Sequence, residues 1–288
     1  MSNLPNSLFK YLPPMRLDVL ESLLIRFTQA SSQNDTLELK PPTKGVAEPE
    51  SLAHITRTKL TETMWSMTSV ENKQLIDTKY PGWSEQIGEG LLQEYIPEAV
   101  ATIEQNYEQS RQKLFEITDK NFGIFCLSEI SDDIKMWGHY ADGGRGFLLE
   151  FDTQHLWFHG KREDRDSFRH LRQVQYVSSR PATYLIETTE DDFLYTKWSA
   201  WQDEKEWRII RCFNDAARKL EQLDPYGNEI LLFSIPPDSI KSVILGYSAD
   251  SKVDNKIRAI LNQRVDLKHV QLQVATQSRD TGQVTIQN

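Results

Sequence analysis

Cysteine is scarce in this chain: of 288 residues, only Cys126 and Cys212 carry a thiol. Each sits in an apolar run. A disulfide-stapled scaffold is thereby excluded, and the two thiols read as small buried hydrophobes of a reducing compartment. Long apolar runs are also lacking, so no segment reads as a membrane span. The opening stretch MSNLPNSLFKYLPP lacks the basic-then-apolar order of a secretory signal, and the expected location is the cytoplasm. Positive charge is in deficit. Lys and Arg number 33 against 42 Asp and Glu, a formal net charge of −9, which argues against an affinity founded on nucleic-acid phosphates.

Several catalytic signatures are missing as well. There is no Gly-rich loop ending in Lys-Ser/Thr and no GxGxxG after a strand, so two large NTP- and NAD-binding classes lose support. His155 and His159 in HLWFH have i, i+4 spacing but lack the intervening Glu of a metalloprotease and any nearby Cys. Ser128 with His139 would make a nucleophile and base, yet CLSEIS lacks the glycines of a nucleophile elbow.

What is present is ordinary globular composition, 39% hydrophobic and 26% charged, in a chain long enough for one large domain or two small ones. SLFKY reads as a short strand ended by Pro13 and Pro14, and Leu17, Leu20 and Leu24 form one helical stripe. IRFTQA reads as extended. From Val46 onward the pattern becomes polar with apolar residues at helical spacing, including Leu91, Leu92, Tyr95, Ile96 and Val100. This predicts a helical insertion over 46–118 in a core domain formed by 1–45 and 119–288. After it come FGIFCLS as strand, SDDIKMWGHYADGG as a capped helix and RGFLLEFD as strand. QVQYV, EWRIIRCF, EILLFSI and SVILGY are further strand candidates, followed by the helix DSKVDNKIRAILNQ and a last strand KHVQLQVATQ. The fold class expected is α+β with a mostly antiparallel sheet.

SAWQDEKEWRII, residues 199–210, is the stretch that resists a purely structural reading. If it is extended, Glu204, Glu206 and Arg208 leave the same face of the sheet. Carboxylates on a buried face stay charged only with partners, water or a ligand, so this is either a structural ion-pair cluster or part of a site. MWGHYADGGRGFLLEFD gathers aromatics, His, Arg and acids around a helix-to-strand turn. Core packing and a ligand platform are both open readings of it.

The segments FKYLP, IRFTQASSQNDTLE, FGIFCLSEISDDIKMWGHYADGGRGFLLEFD, KWSAWQDEKEWRII and IKSVILG together resemble a bacterial family known as domain of unknown function 2971, and they run in its order. Thr36 stands where the family commonly has Pro after Asn-Asp, and Leu12 where it has Arg after Lys-Tyr. More distantly, the layout resembles the ADP-ribosyltransferase superfamily. There an early strand bearing His or Arg precedes a helix, a Gly-Ile-Tyr-Phe strand leads into a helix with a tyrosine, and a later strand carries Glu-x-Glu or a lone Glu. Lys10–Tyr11 replaces the expected His or Arg.

That resemblance implies a split, mostly antiparallel sheet with NAD as substrate. It makes Glu206 the carboxylate beside the developing ribosyl cation and Glu204 the group orienting or deprotonating the attacking nucleophile. Phe125, Trp137 and Tyr140 would stack on nicotinamide or adenine, and Lys10, Tyr11 and Arg145 would meet ribose hydroxyls or pyrophosphate. Ser128 and His139 complete the implied cofactor-binding set. The activity implied is ADP-ribosyl transfer to a protein acceptor, or NAD glycohydrolysis, as in a toxin or phage-defence effector. A non-catalytic nucleotide- or partner-binding module of the same fold is the alternative. A third reading has Asp132, Asp133, Glu150 and Asp152 gather a divalent metal for nuclease-like chemistry.

Overall fold

The computed structural model describes residues 4–35, 40–82, 94–161 and 168–287. Thr36, Leu91 and Leu92 lie outside them. The chain divides into two compact units: one comprises 1–39, 118–179 and 190–288, the other 40–117 and 180–189.

The first unit is α+β and is built on an eight-stranded sheet. Its centre is β4 (Phe147–Asp152), flanked by β1 (Ser7–Leu12) and β11 (Ile240–Leu245), both antiparallel to it. β11 continues into β12 (Gln271–Gln277), which runs parallel and is reached through the helix Ser251–Gln263. That crossover is what a parallel neighbour requires. β13 (Val284–Gln287) closes this edge antiparallel to β12. On the far side of β1 stand β3 (Phe122–Ser128), β8 (Glu206–Cys212) and the short β5 (Arg172–Gln173). The sheet is therefore mixed and mostly antiparallel. A three-stranded sheet, β2 (Leu24–Arg26) with β10 (Glu229–Ser234) and β9 (Arg218–Leu223), and a parallel pair, β6 (Gln175–Val177) with β7 (Thr196–Trp198), complete the unit's strands among the described residues.

Strand alternation decides what each face buries. On one face Leu8, Leu12, Phe125, Leu127, Leu149, Phe151, Trp207 and Ile209 join a core that takes in Val253, Ile257 and Ile260 of the helix after β11. On the other, Tyr11, Leu148 and Ile244 pack under Met136 and Trp137 from the helix Ile134–Tyr140. Asp133 caps that helix by accepting from the backbone of Lys135 and Met136. Gly146 lets β4 begin close against β1, since an added Cβ would lie 2.0 Å from the Leu12 carbonyl oxygen.

The sheet opens at one seam. β1 pairs with β4 along its whole length, Ser7 with Asp152 through Leu12 with Phe147. With β3 it shares the single pair Phe9–Ser128. Further along, β3 turns to another partner: Ile124 and Thr28 exchange both backbone hydrogen bonds at 2.9 Å. Tyr11 and Cys126 thus face each other across a wedge instead of a ladder.

The second unit is helical, with Pro49–Met67, Val70–Lys79, Ile96–Gln105 and the greater part of Tyr107–Asn121. It also holds a parallel bridge between Thr43 and Thr183 and the short 3-10 turn Leu185–Glu187. Its boundary at 40 precedes the expected 46, and 180–189 joins it through that bridge, a non-local pairing that no composition shift announces.

Candidate functional site

β8 explains the buried acids of SAWQDEKEWRII by facing two ways. Trp207 and Ile209 enter the apolar core, while Glu206 and Arg208 leave the opposite face, where Ser128 and Cys126 of β3 stand directly across from them. Both charged side chains are almost closed to solvent, at 5% and 1% exposure. Charges so placed must be matched, and they are. Arg208 donates to Glu206 from Nε at 2.6 Å and from Nη2 at 3.2 Å, while its Nη1 reaches the Leu194 carbonyl at 2.8 Å. Lys197, from β7, donates to Glu206 Oε2 at 2.9 Å and to Glu204 Oε2 at 2.7 Å.

Glu204 is not on the strand. It ends the 3-10 turn Ser199–Glu204, and Lys205 then reverses the chain in the left-handed region at φ 41°. The expectation that Glu204, Glu206 and Arg208 stand two apart on one extended face is corrected here. The turn nevertheless delivers the Glu204 carboxylate to the same cluster, because its backbone is held by the Ser128 hydroxyl, which donates to the Glu204 carbonyl at 2.7 Å. The second carboxylate oxygen of Glu204 accepts from the Tyr140 hydroxyl at 2.5 Å, and Asn34 donates to that hydroxyl at 2.7 Å.

The electrostatics follow from burial and charge. Burial by itself would raise the Glu206 carboxyl, but Arg208 and Lys197 outweigh it and hold the group well below the usual carboxylate range. Burial and then the Glu204 charge push the Tyr140 hydroxyl up, so it remains a donor. Burial, with Glu206 beside it, likewise pushes the Cys126 thiol up and keeps it protonated. Lys10 moves the other way. Desolvation lowers its ammonium, against the raising influence of Cys126 and Glu206.

These groups meet at a cavity of about 100 Å³ set in the wedge between β1 and β3. Lys10 and Tyr11 line it from β1, Cys126 and Ser128 from β3, and Met136 and Tyr140 from the helix above. Glu204, Glu206 and Lys197 form another wall, and Thr28, Gln33 and Asn34 a third. Lys10 crosses the wedge to donate to the Cys126 carbonyl at 3.0 Å.

Of the residues expected from the sequence, the cavity brings together Lys10, Tyr11, Ser128, Tyr140, Glu204 and Glu206. Four others stand apart from its walls. Phe125 is fully buried in the core with Phe27 stacked on it at 5.2 Å, and Trp137 is fully buried with its indole N–H on the Ser131 carbonyl. His139 is exposed, and Arg145 pairs with Asp142 at the surface. Thr28, Gln33, Asn34, Cys126 and Lys197 all lie in the segments that carry the resemblance, which assigns them no site role. The proposed metal quartet does not form: Asp133 caps its helix, Glu150 accepts from Ser7 and Ser242, and Asp152 accepts from the Gln154 backbone. Among the described residues no group of three His, Cys, Asp or Glu is arranged to hold a metal ion. His155 and His159 point to separate partners, Asp238 and the Thr153 carbonyl. No helix among the described residues is long and apolar enough to cross a membrane.

A family model described as "Protein of unknown function (DUF2971)" matches residues 136–209, which include Tyr140, β4, Lys197 and the three charged residues Glu204, Glu206 and Arg208. No curated protein and no solved structure matches the chain.

Proposed function

We propose that the protein is an NAD-consuming enzyme of ADP-ribosyltransferase type, which breaks the bond between nicotinamide and ribose. One observation carries this reading. Residues as far apart in sequence as Lys10, Tyr140 and Glu206 line one cavity, and the three segments on which the resemblance rests are neighbouring strands, β1, β3 and β8. Loss of nicotinamide leaves positive charge on the sugar, and carboxylates fixed in advance in a low-dielectric wall stabilise that charge without reorganising. Glu206 is held ionised by Arg208 and Lys197. Glu204, at 11% side-chain exposure the more open of the two, is oriented by Tyr140 and Lys197 to take a proton from the attacking nucleophile, whether water or a protein side chain.

The cavity's size sets how the substrate would lie. Pockets that enclose drug-sized ligands run to ~300–1,000 Å³; about 100 Å³ takes one ring or one sugar. The nicotinamide end would enter and the rest of the dinucleotide would lie along the opening.

A second reading has an observation of its own. Both Glu206 oxygens already accept from Arg208, and one also accepts from Lys197, an arrangement that equally suits a non-catalytic nucleotide-binding module. Incubation of the purified protein with NAD separates the two. The enzyme reading predicts nicotinamide release that Glu204→Gln abolishes while thermal unfolding stays cooperative; saturable NAD binding with no release favours the module.

A further inference from the structure

Lys10 has fewer partners than an ammonium needs. Such a group carries three donors, and among the described residues one is used, on the Cys126 carbonyl at 3.0 Å. Its nitrogen stands 5.2 Å from the centre of the Phe125 ring, at the stretch where β1 and β3 have ceased to pair. The residue is partly exposed and lines the cavity, and its remaining donors have no partner among the described residues.

We infer that Lys10 is a covalent nucleophile whose amine condenses with the aldehyde of a reducing sugar seated in the cavity. This rests on the reading given above, because hydrolysis of NAD yields ADP-ribose, whose ring-opened ribose presents an aldehyde at the carbon that bore nicotinamide. The step balances without an oxidant. The neutral amine adds to the carbonyl carbon, the carbonyl electron pair moves to oxygen, and the resulting carbinolamine loses water to leave an imine between Nζ and the sugar carbon. The proton shifts have carriers on the cavity wall in the Glu204 carboxylate and the Tyr140 hydroxyl that donates to it. Desolvation, which lowers the Lys10 ammonium, favours the neutral nucleophilic form.

The test is reductive trapping. The whole protein is incubated with ADP-ribose in one arm and with NAD in the other, each with cyanoborohydride, and the adduct is mapped by peptide mass spectrometry while free nicotinamide is measured. The expected result is one adduct per chain at Lys10, formed several-fold faster than at exposed lysines such as Lys59 and Lys135. Lys10→Arg, which keeps the charge and removes the nucleophile, abolishes it. Trapping with ADP-ribose alone, without nicotinamide release from NAD, upholds Lys10 and overturns the cleavage reading. Nicotinamide release with Lys10 labelled no faster than the exposed lysines in the ADP-ribose arm overturns Lys10 and leaves cleavage standing. Absence of preferential labelling in the ADP-ribose arm overturns the inference whatever NAD does.

Discussion

Glu206 and Lys10 differ in how the folded protein treats their charge, and each difference has a measurable consequence. The folded-state pKa of Glu206 lies below its ordinary value of 4.5, so the unfolded chain binds its proton more readily than the native one. Stability from this group is complete above about pH 4.5 and is lost as pH falls below that toward the folded value. Glu206→Gln should flatten that acid limb. At neutral pH it should also cost about 3–5 kcal/mol, because Arg208 and Lys197 would remain buried without their shared carboxylate. Urea unfolding of both proteins between pH 7 and pH 3 checks slope and magnitude together. Lys10 has its pKa lowered in the fold, so its charged form is carried at a cost below the folded pKa, and that cost disappears as pH rises toward the ordinary 10.5. Lys10→Met should therefore raise neutral-pH stability, by the roughly 0.5–2 kcal/mol typical of a stabilising substitution. Thermal unfolding at pH 7 measures it; destabilisation of similar size would mean that the ammonium supports the wedge.

At the level of elements, the period-two patterns identified β3 and β4 through a continuously apolar face and β8 through Trp207 and Ile209, and Asp133 announced its helix through capping chemistry. The polar strand β9, Arg218–Leu223, escaped because its pairing with β10, and not burial, defines it. Trp137 was open to both readings, and the structure buries it in one cluster with Met136 and Ala141, away from any ligand platform. Glu204 was assigned to the strand because Lys gives no warning of a left-handed turn. That turn is itself testable. Lys205 at φ 41° already bears the roughly 1–2 kcal/mol strain that glycine would not, so Lys205→Gly should be neutral or slightly stabilising, whereas Lys205→Val should destabilise, because a β-branched side chain tolerates positive φ worse than lysine does. Equal effects of the two substitutions on the urea midpoint would show that the backbone there is not strained. The cavity's third wall, Thr28 and Asn34, was invisible for another reason. It arises where β3 exchanges its partner from Phe9 to Thr28, and such a switch depends on contacts between segments about a hundred residues apart.

Over the whole molecule, the eight-stranded sheet brings the early, middle and late segments of the chain to a single seam, and every described residue that lines the cavity belongs to the unit built on that sheet. Cavity and scaffold therefore belong to one unit, which carries the cavity, its two carboxylates and both hydrophobic clusters. The most direct test is nicotinamide release from NAD by the purified protein, followed over time alongside Glu204→Gln. Time-dependent release by the native protein and none by the variant, with both unfolding cooperatively, is the predicted result. No release by the native protein, with or without added protein acceptors, or equal release by the variant, would contradict the assignment of this cavity to glycosidic bond cleavage.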